Sequence, residues 1–129
     1  MNKIVIVKNV SNVLDDIREC VEKLGFNATD QDFVVIKPNL SDFTSPTEGG
    51  TTDPIIVEAL IKVIREKGNP TIAIVESDHA VATADVEFER LGYSELAERY
   101  GVQLVNLSKD KAHELYVNGH FLEYLRIAE

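Results

Sequence analysis

The sequence predicts an α/β domain with a mainly parallel sheet of about four strands, helices on both faces and a C-terminal β-hairpin. Short β-branched runs, such as residues 34–36, alternate with longer segments in which apolar residues recur at helical spacing. This alternation is typical of parallel strands joined by right-handed helical crossovers. Near the end of the chain, Asn118-Gly119 separates two further apolar runs, which predicts an antiparallel hairpin.

The first half of the chain supplies two strands and two helices. A strand at residues 4–7 is followed by apolar residues at helical spacing up to Gly25, where a left-handed glycine is expected to end the helix. A second strand covers residues 33–37. After a long loop, Asp53 is a suitable N-cap and Pro54 a suitable first residue for the next helix.

The second half continues the alternation. A third strand at residues 71–75 precedes a helix near residues 85–91, and Ser94 is expected to cap a shorter helix that ends at Tyr100. A fourth strand then covers residues 102–107. These four strands are expected to be parallel neighbours in one sheet, because helices separate them.

The hairpin closes a single domain that covers residues 1–129. Its strands are predicted at residues 113–117 and 120–125, and the last residues still resemble ordered structure. We therefore expect the chain to be the N-terminal portion of a longer protein. An interrupted fold exposes an unpaired edge, so a homo-oligomer or association with a missing C-terminal half is expected.

Composition narrows the classes of partner. Thirteen Lys and Arg residues against 22 Asp and Glu residues give a formal charge of -9, which argues against nucleic acid and anionic membranes. The chain lacks a long apolar span and a secretory signal, so a cytoplasmic protein is expected. The single cysteine, Cys20, excludes an iron–sulfur cluster within this chain. The solvated face of two helices is expected to carry Asp85, Glu87, Glu89, Glu95 and Glu98.

The end of the second strand carries the main candidate site. Ligands of open α/β sheets bind beyond the carboxyl ends of parallel strands, and Lys37 stands at such an end. Its ammonium can bind a phosphate or a carboxylate, while Asn39, Thr51 and Thr52 can add neutral hydrogen bonds. The sequence therefore predicts a site for a small anion.

Two neighbouring features of the sequence, the loop at residues 41–52 and the helix start at Asp53, affect the predicted anion site at Lys37. Residues 41–52 form a loop of a length that is usually functional or disordered in compact domains. The helix start at Asp53 adds amide donors, although the Asp53 carboxylate would repel an anion. The alternative interpretation is that Lys37 points into solvent and Asn39 caps a turn. The sequence contains neither of the two standard nucleotide-binding glycine loops.

A second group of polar residues follows the third strand and is expected on the same edge of the sheet. Ser77 is predicted to join the anion site. Oxygen and nitrogen ligands for a divalent metal such as Mg²⁺, Mn²⁺ or Zn²⁺ are offered by Glu76, Asp78 and His79. Equally, a carboxylate beside His79 can tune this histidine as a general base. Consecutive residues seldom all point at one ion, so a solvated loop is the alternative.

Several stretches resemble the DUF362 family of uncharacterised bacterial and archaeal proteins over roughly residues 33–127. The resemblance implies a missing second half with a further lysine-rich strand end, and some relatives add a ferredoxin-type iron–sulfur domain. It implies no reaction. The stretches that carry it are Val35-Ile36-Lys37-Pro38-Asn39, Thr51-Thr52-Asp53-Pro54, Val57-Glu58-Ala59-Leu60 and Leu91-Gly92-Tyr93-Ser94-Glu95-Leu96.

Three interpretations of function stay open. The first is a domain that binds a small anion or metabolite at the carboxyl ends of the second and third strands. The second is part of a redox-linked or metal-assisted enzyme, completed by a missing half or a partner subunit. The third is a structural fragment with no complete site. A binding domain needs Lys37, backbone donors and an apolar wall, whereas an enzyme needs several titratable groups in one pocket.

Overall fold

A computed structural model describes residues 4–6, 12–41, 44–117, 119–120 and 124–128. The α/β class, the parallel sheet and the C-terminal antiparallel hairpin are confirmed. A 3₁₀ turn, Pro46–Glu48, lies in the long loop. In chain order the helices and strands are α1 (Val13–Leu24), β1 (Phe33–Ile36), α2 (Pro54–Arg65), β2 (Thr71–Glu76), α3 (Ala84–Arg90), α4 (Tyr93–Tyr100), β3 (Gln103–Asn106), β4 (Ala112–Tyr116) and β5 (Tyr124–Ala128).

The parallel sheet has the order β1-β2-β3. Phe33 is paired with Thr71, and Ala73 with Gln103, so the three strands end at the same edge. The sequence predicted a further strand at residues 4–7, but residues 4–6 lie outside any strand and Val7 lies outside the described residues. An apolar run becomes a strand when it pairs with a neighbour. In the part of the chain that is described, residues 4–6 have no such pairing.

The described helices cover one face of this sheet. Because the strand order follows the chain order, right-handed crossovers place α2 and the α3–α4 pair on the same side. There, Ile72 and Ile74 of the central strand pack with Ile61 and Leu96 in the core, and α1 packs against α2. Helices on both faces were expected. That arrangement would require the strand order to reverse within the sheet, whereas the observed order is β1-β2-β3.

Local sequence signals set the ends of the helices. Asn12 caps α1, and Gly25 ends it with a φ of 68°. Asp53 caps α2 as predicted, since its carboxylate accepts a hydrogen bond from a first-turn amide. The prediction that Ser94 caps the shorter helix is wrong, because the helix begins at Tyr93, two residues earlier than a cap at Ser94 implies. Gly92 occupies the cap position with a φ of 81°.

The hairpin pairs β4 with β5 in a register that places Tyr116 opposite Tyr124. Their rings are 5.3 Å apart, and cross-strand aromatic pairs of this kind stabilise a register. β4 ends at Tyr116 and β5 begins at Tyr124. Asn118 of the expected two-residue turn lies outside the described residues. The second strand is displaced towards the C-terminus from the predicted residues 120–125.

Candidate functional site

The carboxyl ends of β1 and β2 bring Lys37 and Glu76 together. The Nζ atom of Lys37 lies 2.5 Å from Oε1 of Glu76, and the same oxygen accepts a hydrogen bond of 2.8 Å from the N–H of Ser77. The Glu76 side chain is 7% exposed and that of Lys37 is 55% exposed. The buried carboxylate is thus fixed in place, while much of the lysine side chain faces solvent.

Asn39, Thr51 and Thr52 join the two ends of the long loop. The carbonyl of Asn39 accepts from the Thr52 N–H at 2.7 Å and from the Thr51 hydroxyl at 3.0 Å. In return, the N–H of Asn39 donates to Oγ1 of Thr52 at 3.0 Å, and its side-chain amide donates to the carbonyl of Gly50 at 2.9 Å. These bonds hold the loop against the end of β1. Direct binding of an anion by these residues stays a prediction.

The start of α2 is occupied by the carboxylate of Asp53. Its Oδ1 atom accepts a hydrogen bond of 3.0 Å from the N–H of Ile55. One of the amide donors expected to bind an anion is therefore already used, and a negative charge stands beside the others. Among the predicted ligands, Lys37 is consequently the group whose charge attracts an anion.

The predicted metal ligands do not share one centre. Oδ1 of Asp78 accepts hydrogen bonds from the N–H of Ala84 at 2.9 Å and from the side chain of Asn106 at 2.8 Å, whereas Glu76 binds Lys37. The backbone N–H of His79 donates to the carbonyl of Ala82. Within the described ranges, no group of three or more His, Cys, Asp and Glu side chains could hold a metal ion. Metal binding stays a prediction without support from this geometry.

The face of the sheet opposite the helices forms a groove beside Lys37. Side chains alternate along a strand, so Phe33 and Val35 project on this side. Lys37, which directly follows β1, starts from the same side, and its ammonium reaches across the edge of the sheet to Glu76. Phe33, Val35 and Lys37 line a cavity of about 600 Å³. Sequence reasoning missed it, because an alternating apolar pattern does not say which face the helices cover. The other residues of the lining are Ala73, Val75, Gln103, Val105, Leu107, Asp110, Ile127 and Ala128.

An ion pair in α3 anchors the long loop. The Nη2 atom of Arg90 donates to the carbonyl of Thr44 at 3.0 Å, and its Nε atom donates to Oε2 of Glu87 at 3.1 Å. Glu87 is fully buried, and its Oε1 atom has no hydrogen-bond partner among the described residues. The expectation that Glu87 belongs to a solvated acidic face is therefore wrong, because the helix turns this position towards the core.

Tyr93 connects two of the stretches that resemble the family. It is fully buried, and its hydroxyl donates a hydrogen bond of 3.0 Å to the carbonyl of Thr52. Burial, followed by the nearby carboxylate of Asp53, raises the pKa of Tyr93 above its usual value. The hydroxyl therefore stays protonated at neutral pH and continues to donate. Residues 91–96 thus support the loop end at residues 51–54.

Comparison with known proteins agrees with the resemblance in the sequence. The family described as Domain of unknown function (DUF362) matches residues 34–129. This match covers most of the chain and includes Lys37, the long loop and Glu76. No curated protein matches the chain, nor does a solved structure. Among the described helices, none has the length and apolar character needed to cross a membrane.

Proposed function

This chain belongs to the DUF362 family, whose function is unknown, and we propose that it binds a small anionic metabolite through Lys37. One observation carries the proposal. A lysine whose side chain is about half exposed stands at the carboxyl end of a parallel strand and lines a groove, while its carboxylate partner is buried. Carboxyl ends of parallel strands are the usual place for ligands in open α/β sheets.

Lys37 has donors for both Glu76 and a ligand. A lysine ammonium carries three N–H donors, and one of them serves the hydrogen bond to Glu76. That bond also restrains the end of a long, flexible side chain, so less conformational entropy is lost when an anion binds. The anion shares the ammonium with Glu76, and its attraction to Lys37 is correspondingly reduced.

Local charge rather than the overall charge provides the attraction. The chain carries a formal charge of -9, which repels anions at long range. At physiological ionic strength, salt screens such repulsion beyond about 8 Å. An anion in contact with Lys37 gains a charge-assisted hydrogen bond at much shorter range. In this proposal, Ser77 adds a neutral hydrogen bond beside Glu76, and Asn39, Thr51 and Thr52 hold the adjoining loop in place.

Replacing Lys37 by methionine should weaken the binding of phosphate and of acetate by about 1.5 to 3 kcal/mol, the range for a hydrogen bond to a charged group. Methionine keeps most of the aliphatic length but has no donor. The measurement is an NMR titration of backbone amides with each anion in the wild type and the variant. Asn39→Ala should cost less, because Asn39 acts through the loop.

Lys67→Met is the matched control. Lys67 is an exposed lysine beyond the end of α2, and it precedes β2, so it lies towards the opposite end of the sheet from Lys37. Its replacement should leave the affinity for both anions unchanged. Equal losses in the two variants would mean that the anions respond to overall charge, and the proposed site would then be wrong.

A further inference from the structure

The groove beside Lys37 has a shape and lining that suit a ligand with an apolar body. Val35, Val75 and Val105 from the three parallel strands form its floor, and Ile127 of β5 lies at its side. Its volume of about 600 Å³ is within the range of roughly 300 to 1,000 Å³ that small-molecule sites show. The sheet and the hairpin together make this surface concave, which suits a small molecule better than a flat protein surface.

Charge is confined to one end of β1 within this groove. Phe33 and Lys37 are four residues apart on the same face, which corresponds to about 13 Å along a strand. Lys37 lies at the carboxyl end, whereas Phe33 and Gln103 lie where their strands begin. Among the described lining residues, Lys37 is the cation, and the carboxylate of Asp110 follows β3 at the same edge of the sheet.

From this arrangement we infer that the ligand is a monocarboxylate with an unbranched apolar tail of up to about 13 Å. Its carboxylate binds the ammonium of Lys37, and its tail lies along the strands towards Phe33. The inference rests on the proposed function, because it assigns the same lysine to the anionic head. It adds the class of ligand, which the lysine alone leaves open.

The tail is expected to contribute most of the affinity. Burial of each methylene group contributes about 0.8 kcal/mol, which corresponds to roughly a fourfold gain in affinity. An anion without a tail, such as acetate, gains nothing from Val35 or Val75. The gain should stop once the tail fills the groove.

The test is a titration of the full chain with straight-chain carboxylates from acetate to decanoate, followed by NMR. The affinity should rise about fourfold per methylene over this series, and decanol should bind much more weakly than decanoate. Val35→Asn should weaken decanoate binding at least tenfold and acetate binding much less, because acetate has no tail to lie on Val35. Ile55→Asn is the matched control, because Ile55 is an exposed isoleucine on α2 outside the groove.

The outcomes separate the two proposals. If acetate binding depends on Lys37 but affinity does not rise with chain length, the apolar groove is not part of the site and this inference is wrong. If acetate binding does not depend on Lys37, the proposed function fails first. A different outcome is a stable dimer in sedimentation, with no binding of decanoate and no dissociation on its addition. That result would show that a second copy covers the groove, and it would also overturn the inference.

Discussion

Replacing Arg90 by methionine is expected to lower the free energy of unfolding by about 3 to 5 kcal/mol. Glu87 is fully buried, and the guanidinium of Arg90 is the cation bound to its carboxylate. Removing that cation leaves a buried charge without compensation, which costs more than the ion pair itself contributes. The carbonyl of Thr44 loses its donor at the same time. Urea unfolding at neutral pH measures the loss.

Two further variants separate this effect from a general loss of charge. In the double variant Glu87→Gln with Arg90→Met, the buried carboxylate is gone, and most of the lost stability should return. Arg99→Met is the matched control, because this exposed arginine stands 3.8 Å from Glu58, and exposed pairs contribute about 0 to 1 kcal/mol. If Arg90→Met costs no more than Arg99→Met, Glu87 is not held as a buried charge.

Replacing Tyr93 by alanine is expected to cost about 3 to 5 kcal/mol, the range for removing a large aromatic side chain from a core. Tyr93 is fully buried, and its ring packs edge to face on Phe88. The variant also leaves the carbonyl of Thr52 without its partner. Thermal and urea unfolding, with amide shifts of the loop as a second readout, measure both consequences.

Tyr93→Phe keeps the ring and removes the hydroxyl, so it should cost about 1 kcal/mol and still change the shifts around Thr52. Tyr116→Ala serves as the control on the exposed hairpin, where a small effect is expected. A Tyr93→Phe protein with unchanged loop shifts would show that the hydroxyl does not support the loop.

The fold could be predicted where local patterns decide it. The apolar runs that became β1, β2 and β3, and the caps at Asp53 and Gly25, are set by residues close in sequence. The strand expected at residues 4–7 was not found in the described residues, because strand formation depends on a neighbouring edge that local sequence does not reveal. Periodicity likewise identifies the apolar face of a helix but does not say which side of the sheet that helix will cover.

The sequence predicted that Lys37 and Glu76 lie close together, but not the contact that they make. Parallel strands that end at one edge place Lys37 near Glu76, and this placement follows from the course of the backbone alone. The ion pair between them depends on side-chain directions across two strands. The burial of Glu87 was missed for the same reason, since an acidic residue on a short helix is normally exposed.

The central claim is that the ammonium of Lys37, shared with Glu76, binds the anion. The most direct test is a double-mutant cycle in which the affinity for acetate is measured in the wild type, Glu76→Gln, Lys37→Met and the double variant. Glu76→Gln removes both the competing acceptor and its repulsion, so the account predicts a larger gain in affinity when Lys37 is present than when it is absent. An equal gain in both backgrounds, or no gain in either, would contradict the account.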